Sequence, residues 1–119
     1  MNFYLNLHKM KIHLIKKQTL LDFAFRYPGS RVPLVDWTWK LKFADWEQPG
    51  DIKETFNTED LLGKASNRIV FDIGGNNYRI ICKYVFGAMQ VHLFICWIGT
   101  HADYDKICKQ GFQYTINLY

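Results

Sequence analysis

The chain has only three cysteines, Cys82, Cys96 and Cys108, and none belongs to a Cys-X-X-Cys pair. Structural zinc sites draw on closely spaced thiols, so no metal is expected. A sparse, odd cysteine count is a poor disulfide framework and fits a reducing compartment, the cytoplasm. Long apolar runs are also missing. No stretch approaches the ~18 apolar residues of a membrane span, and residues 1–9 hold too short an apolar run for a secretory signal. No glycine-rich loop joins a strand to a helix, because Gly74-Gly75 reads as part of a hairpin turn, so no phosphate-cradling nucleotide loop is expected. His13 and His92 fall in strand-like segments without partners at metal-ligating spacing. No repeat, low-complexity tract or proline- and serine-rich linker divides the chain.

What is present fits one domain with one core: 119 residues, 49% hydrophobic and 22% charged. Fifteen Lys and Arg against eleven Asp and Glu leave a charge of +4. A basic surface suits a polyanion such as RNA, because each neutralised phosphate releases counterions. Aromatic residues reach 17%, more than one small core needs, which leaves some aromatic surface for a partner.

Residues 1–9 read as an N-terminal extension ahead of a domain over residues 10–109, with a tail at 110–119. Residues 11–15 alternate as a first strand, and 19–26 form a helix stopped by Pro28-Gly29. A longer helix is expected over 32–46. Its apolar residues make two stripes, Val32, Val35, Trp39, Phe43 and Trp46 on one and Leu34, Trp37 and Leu41 on the other. Both stripes can pack inside the fold, or one can receive a partner, with Trp37 and Leu41 singled out for that contact. Short helices are expected near 51–56 and 58–62. Then 68–73, 78–86 and 90–99 form an antiparallel meander around the Gly74-Gly75-Asn76-Asn77 turn, whose residues tolerate positive φ. Residues 100–109 form a closing helix capped by Thr100. Phe112, Tyr114, Ile116 and Leu118 alternate, so the tail reads as an edge strand. The layout is α+β: a small antiparallel sheet with helices packed on one face.

Two segments can carry chemistry. On strand 78–86, Arg79 and Lys83 share a face roughly 13 Å apart, and Arg68 joins them if the turn sets a tight register. Such a face can hold successive phosphates of one strand, or be no more than the solvated side of the sheet. At the junction of strand and closing helix, His101 and Tyr104 stand at the sheet rim. The imidazole is able to act as acid or base there, although a histidine at a helix start also serves for capping or packing. None of the cysteines has an activating base nearby in sequence.

Those two segments resemble a known family. Residues 68–81, RIVFDIGGNNYRII, followed by Cys82-Lys83-Tyr84, resemble the "vFdIgGNkYRLI" segment of HigB-type toxins from bacterial toxin–antitoxin pairs. Residues 98–107, IGTHADYDKI, resemble the family's "iGTHaeYDkI" ending. The helix bearing Trp37, Trp39 and Trp46, with Asp51-Ile52-Lys53 and Phe56, matches more loosely. The resemblance implies a RelE-like fold and a metal-independent, ribosome-dependent endoribonuclease without cofactors. It implies mRNA and the ribosome as partners, a HigA-like helix-turn-helix antitoxin, and operator DNA bound only through that antitoxin. It also implies roles: Arg79, His101 and Tyr104 in catalysis, with Arg68, Lys83 and Lys106 holding RNA. Many members carry a basic residue shortly before the GTH motif. Here Cys96-Trp97 stand there, which implies either a slower enzyme or one that draws that charge from Lys83 or Lys106. The same residues also permit a non-catalytic RNA- or ribosome-binding module, or an interaction domain built on the tryptophan-rich helix.

Overall fold

A computed structural model describes residues 9–56, 59–63 and 66–119, with Glu59 and Asp60 by backbone alone. The elements in order are β1 (Met10–Ile15), α1 (Lys17–Arg26), α2 (Arg31–Lys42), β2 (Asp45–Trp46), α3 (Ile52–Thr55), β3 (Glu59–Leu62), β4 (Arg68–Ile73), β5 (Tyr78–Phe86), β6 (Gln90–Thr100) and α4 (His101–Lys109). The strands make one six-stranded sheet in the order β2-β1-β6-β5-β4-β3. The α+β class and the meander of β4, β5 and β6 are as the sequence implies. The sheet is mixed rather than purely antiparallel, since β1 lies parallel to β6.

Alternation sorts the strands into two faces. Ile69, Phe71 and Ile73 of β4, Ile80 and Cys82 of β5, and Val91, Leu93 and Ile95 of β6 point inward. Leu20 and Phe23 of α1 and Leu34, Trp37 and Leu41 of α2 close over them. Trp37 meets Phe71 edge-on, ring centroids 5.2 Å apart. Trp37 and Leu41 are 3% and 4% exposed, so they are core residues and not partner contacts. The apolar stripe that stays outside is the other one: Val32, Val35, Trp39 and Phe43 are half to three-quarters exposed.

Helices do not keep to one face. Tyr104 and Ile107 of α4, with Ile116 of the tail, pack on the outer side against Val70, Ile81, Cys96 and Trp97. A β-bulge makes this possible. Ile81 pairs with Trp97 but Cys82 pairs with Ile95, so the register skips Cys96. The extra residue reverses the alternation of β6 and turns Trp97 outward.

Three boundaries differ from the sequence reading. The long helix ends at Lys42, and Asp45–Trp46 pairs with β1 instead. Trp46 is fully buried, and its indole N–H donates to Thr55 Oγ1 at 2.9 Å. The expected helix at 58–62 is strand β3 over Glu59–Leu62, paired with β4, while Thr58 lies outside the described residues. Four residues are too few for periodicity to separate helix from strand. The tail forms no edge strand. Phe112–Tyr114 is a 3-10 turn, and the chain then crosses the outer face, where the Leu118 amide donates to the Cys96 carbonyl at 2.9 Å.

Candidate nucleic-acid interface and active site

The outer sheet face gathers most of the residues singled out from sequence. Arg68 stands directly opposite Lys83, and Asp72 opposite Arg79. The Gly74-Gly75 turn sets this register, with φ of +62° and +66°, values that favour glycine. Arg79 is 7% exposed. Its Nε pairs with Asp72 Oδ1 at 2.8 Å, Nη2 donates to Asn76 Oδ1 at 2.7 Å, and Nη1 donates to the Tyr78 carbonyl at 3.0 Å. Its guanidinium also lies 6.0 Å from the centre of the Tyr104 ring. Arg68 is equally buried, and its Nη1 donates to the carbonyls of Gln113 and Ile116. Both arginines are therefore committed to protein acceptors, and Arg68 anchors the tail. Lys83 and Lys106 are exposed, Lys106 with Asp103 at 3.9 Å.

Tyr104 meets Arg79 at the rim, and His101 begins the same helix. Thr100 caps α4 by accepting from the Asp103 amide at 3.2 Å, as the sequence implies. The His101 amide donates to the Asn77 carbonyl at 2.9 Å, beside the Asn76 side chain that holds Arg79. The imidazole Nε2 stands 3.3 Å from Asp105, while Nδ1 is buried without a hydrogen-bond partner among the described residues. Tyr104 packs on Trp97, ring centroids 6.2 Å apart.

Gly99 explains why the rim motif begins with glycine. A Cβ there would stand 2.4 Å from Trp97 Cζ2, far inside van der Waals contact. The indole cannot swing away, because it is wedged among Val70, Ile81 and Tyr104. Gly99→Ala is expected to cost about 1–3 kcal/mol and to loosen α4, read as a lower midpoint in urea and faster amide exchange in residues 101–109. An unchanged midpoint would show that Trp97 is free to move.

Sequence reasoning missed a second group on the same face. The parallel pairing sets His13 of β1 beside His92 of β6. Their Nδ1 atoms are 3.2 Å apart, with the rings edge-on at 71°. Lys83 and Phe94 are opposite one another in the next rank, and this half of the face is open to solvent. Each histidine alternates outward in its own strand, which was the available signal. Their meeting depends on a long-range parallel pairing that no local pattern shows.

Among the described residues no group of three or more His, Cys, Asp or Glu side chains could hold a metal ion. Among the described residues no helix is long and apolar enough to cross a membrane. Burial, and secondarily the neighbouring Cys96, pushes the Cys82 thiol well above its usual range, so it stays a neutral core group.

The sequence profile of a family described as HigB toxin, "RelE-like toxic component of a toxin-antitoxin system", matches residues 30–107. This chain belongs to the HigB toxin family. It is 29% identical over 98 residues to the "mRNA interferase HigB" of Escherichia coli O6:H1, covering 82% of this chain and 93% of that relative. It is 28% identical over 94 residues to the "mRNA interferase toxin HigB" of Escherichia coli K12, covering 79% and 88%. An "mRNA interferase HigB" of Shigella flexneri matches over the same lengths. The matched span holds both HigB segments, the hairpin and the rim, so the family signature and the outer face coincide.

Proposed function

We propose that this HigB toxin is a cytoplasmic endoribonuclease that cuts mRNA on the ribosome, and that a HigA-like helix-turn-helix antitoxin neutralises it. Operator DNA is reached only through the antitoxin. The reaction is attack of a ribose 2′-hydroxyl on its own phosphodiester, which needs proton transfer and cationic stabilisation but no metal. The observation that carries this reading is the strand register, which ranks the cationic side chains and the rim motif on one sheet face. RNA runs along that face, with Lys83 and Lys106 on its phosphates and Tyr104 and His101 contacting the strand at the rim. Arg79 acts there through Tyr104 and the turn.

The antitoxin covers the helices. Leu21, Phe25, Val35 and Thr38 line a groove of about 890 Å³ between α1 and α2, with Lys17 and Arg31 also on its walls. An amphipathic antitoxin segment with acidic flanks fits such a groove. Expression of the toxin alone is expected to arrest growth with fragmented transcripts, and the antitoxin to relieve it. Normal growth with abundant soluble toxin would overturn the reading. The commitment of both arginines to protein acceptors favours one alternative, a non-catalytic RNA- or ribosome-binding module. Ribosome binding without cleavage by the wild type would select it.

A further inference from the structure

We infer that Arg68 is a phosphate-binding residue midway along the RNA path, and that the C-terminal tail fills its place in the free toxin as a strap that RNA displaces. The inference rests on the RNA path of the reading above and adds a subsite and the contact that closes it. RNA passing from Lys83 to Tyr104 must cross the ground between them, and that ground is taken. Ile116 packs there on Val70, Ile81, Cys96 and Trp97, and Trp97 is the residue against which Tyr104 rests. The carbonyls of Gln113 and Ile116 accept from Arg68, whose strand partner is Lys83.

The covered place is suited to an anion. Two cations set directly opposite one another in neighbouring strands repel. Arg68 and Lys83 form such a pair. Among the described residues no carboxylate stands within ion-pair distance of either. The tail answers with two carbonyl oxygens and no countercharge, because residues 110–119 hold no Asp or Glu. A phosphodiester is the better partner. Its charge offsets both cations, and its paired oxygens match the fork of a guanidinium.

The strap can leave without the domain unfolding. On the sheet it rests on the Ile116 side chain and on one backbone bond, from the Leu118 amide to the Cys96 carbonyl. Cys96 is the residue that the bulge leaves without a strand partner, so no pairing within the sheet depends on the tail. Phe112, Leu118 and Tyr119 remain exposed and add little apolar burial. Segments with few buried apolar contacts open locally. Release uncovers Arg68, which is 7% exposed beneath the tail, next to Lys83. The apolar ground left by Ile116, with Trp97 in it, suits a stacked base. While the strap is closed, RNA affinity is reduced by the fraction of molecules that are open.

The probe is a short single-stranded RNA with 2′-O-methyl riboses throughout, which can bind but has no hydroxyl to attack with. Removing residues 111–119 is expected to tighten its binding by about 10-fold or more. Ile116→Ser loosens the strap at full length and is expected to tighten binding by about threefold or more. Arg68→Gln in the shortened protein is expected to cancel the gain and to lower the salt dependence by about one phosphate. In the wild type, saturating RNA is expected to speed exchange of the Leu118 amide, a readout that needs no variant and that a purely structural tail would not give. Unchanged or weaker RNA binding by the folded variants, or a Leu118 amide that RNA leaves unchanged or protects, would overturn this inference. Cleavage of an mRNA on translating ribosomes is read separately. Tighter binding by the shortened protein, with no cutting by it or by the wild type, would sink the nuclease reading and leave the strap.

Discussion

Arg79→Ala is expected to abolish growth arrest, and chiefly by unfolding the rim rather than by removing a catalytic group. The guanidinium is buried, and its loss breaks its ion pair with the Asp72 carboxylate, which is 24% exposed. Breaking a buried ion pair from one side costs about 3–5 kcal/mol, a large share of the roughly 5–15 kcal/mol that holds a domain together. Asn76 loses its partner too, and with it the turn that receives the His101 amide. A urea midpoint well below wild type is the direct check. Replacing both charges, Arg79→Met with Asp72→Leu, removes the pair as a whole and is expected to restore folding. If that folded double variant arrests growth, Arg79 is architectural. If it folds and is inert, the guanidinium acts on RNA as the family resemblance implies. An alanine variant as stable as wild type would contradict the ion-pair argument.

Placing aspartate at Phe25 or Trp39 is expected to weaken the antitoxin complex by about 2–4 kcal/mol, roughly 30- to 1,000-fold in Kd. Phe25 is 88% exposed, and Trp39 is half-exposed, stacked on Phe43 at 5.4 Å with Lys42 over its ring. Neither supports the core, so the free toxin should keep its urea midpoint and its cleavage rate. A cell carrying such a variant should no longer be rescued by its antitoxin. Titration calorimetry reads the effect directly, and an unchanged Kd would place the antitoxin elsewhere. The sequence singled out Trp37 and Leu41 for a partner, yet both are buried, and the exposed stripe of α2 is the other one. Two stripes of similar composition look alike locally. Which one is buried depends on the sheet they meet, and Phe71 and Phe56 select Trp37.

Local chemistry made much of the fold legible. Alternation marks β4, β5 and β6, consecutive glycines mark the hairpin, and Thr100 marks the start of α4. The rim motif was legible by resemblance, and its glycine has a steric reason in Trp97. What stayed hidden depends on distant pairing. β1 joins β6 across nearly the whole chain, and that alone unites His13 with His92. The bulge at Cys96 reverses one strand's facing without any signature in composition. Charge counting also misled. Arg68 and Arg79 look like free cations in sequence, yet one ties down the tail and the other braces the turn.

A single ribose substitution tests the chemistry most directly. Purified toxin is given translating ribosomes carrying an mRNA, the cut is mapped, and the nucleotide 5′ to the cut is replaced by its 2′-deoxy form. The expected result is a 2′,3′-cyclic phosphate and a 5′-hydroxyl on the ordinary message, and no cut at that bond once the 2′-oxygen is gone. Continued cutting at the deoxy position, or ends bearing a 5′-phosphate and a 3′-hydroxyl, would contradict attack by the RNA's own hydroxyl.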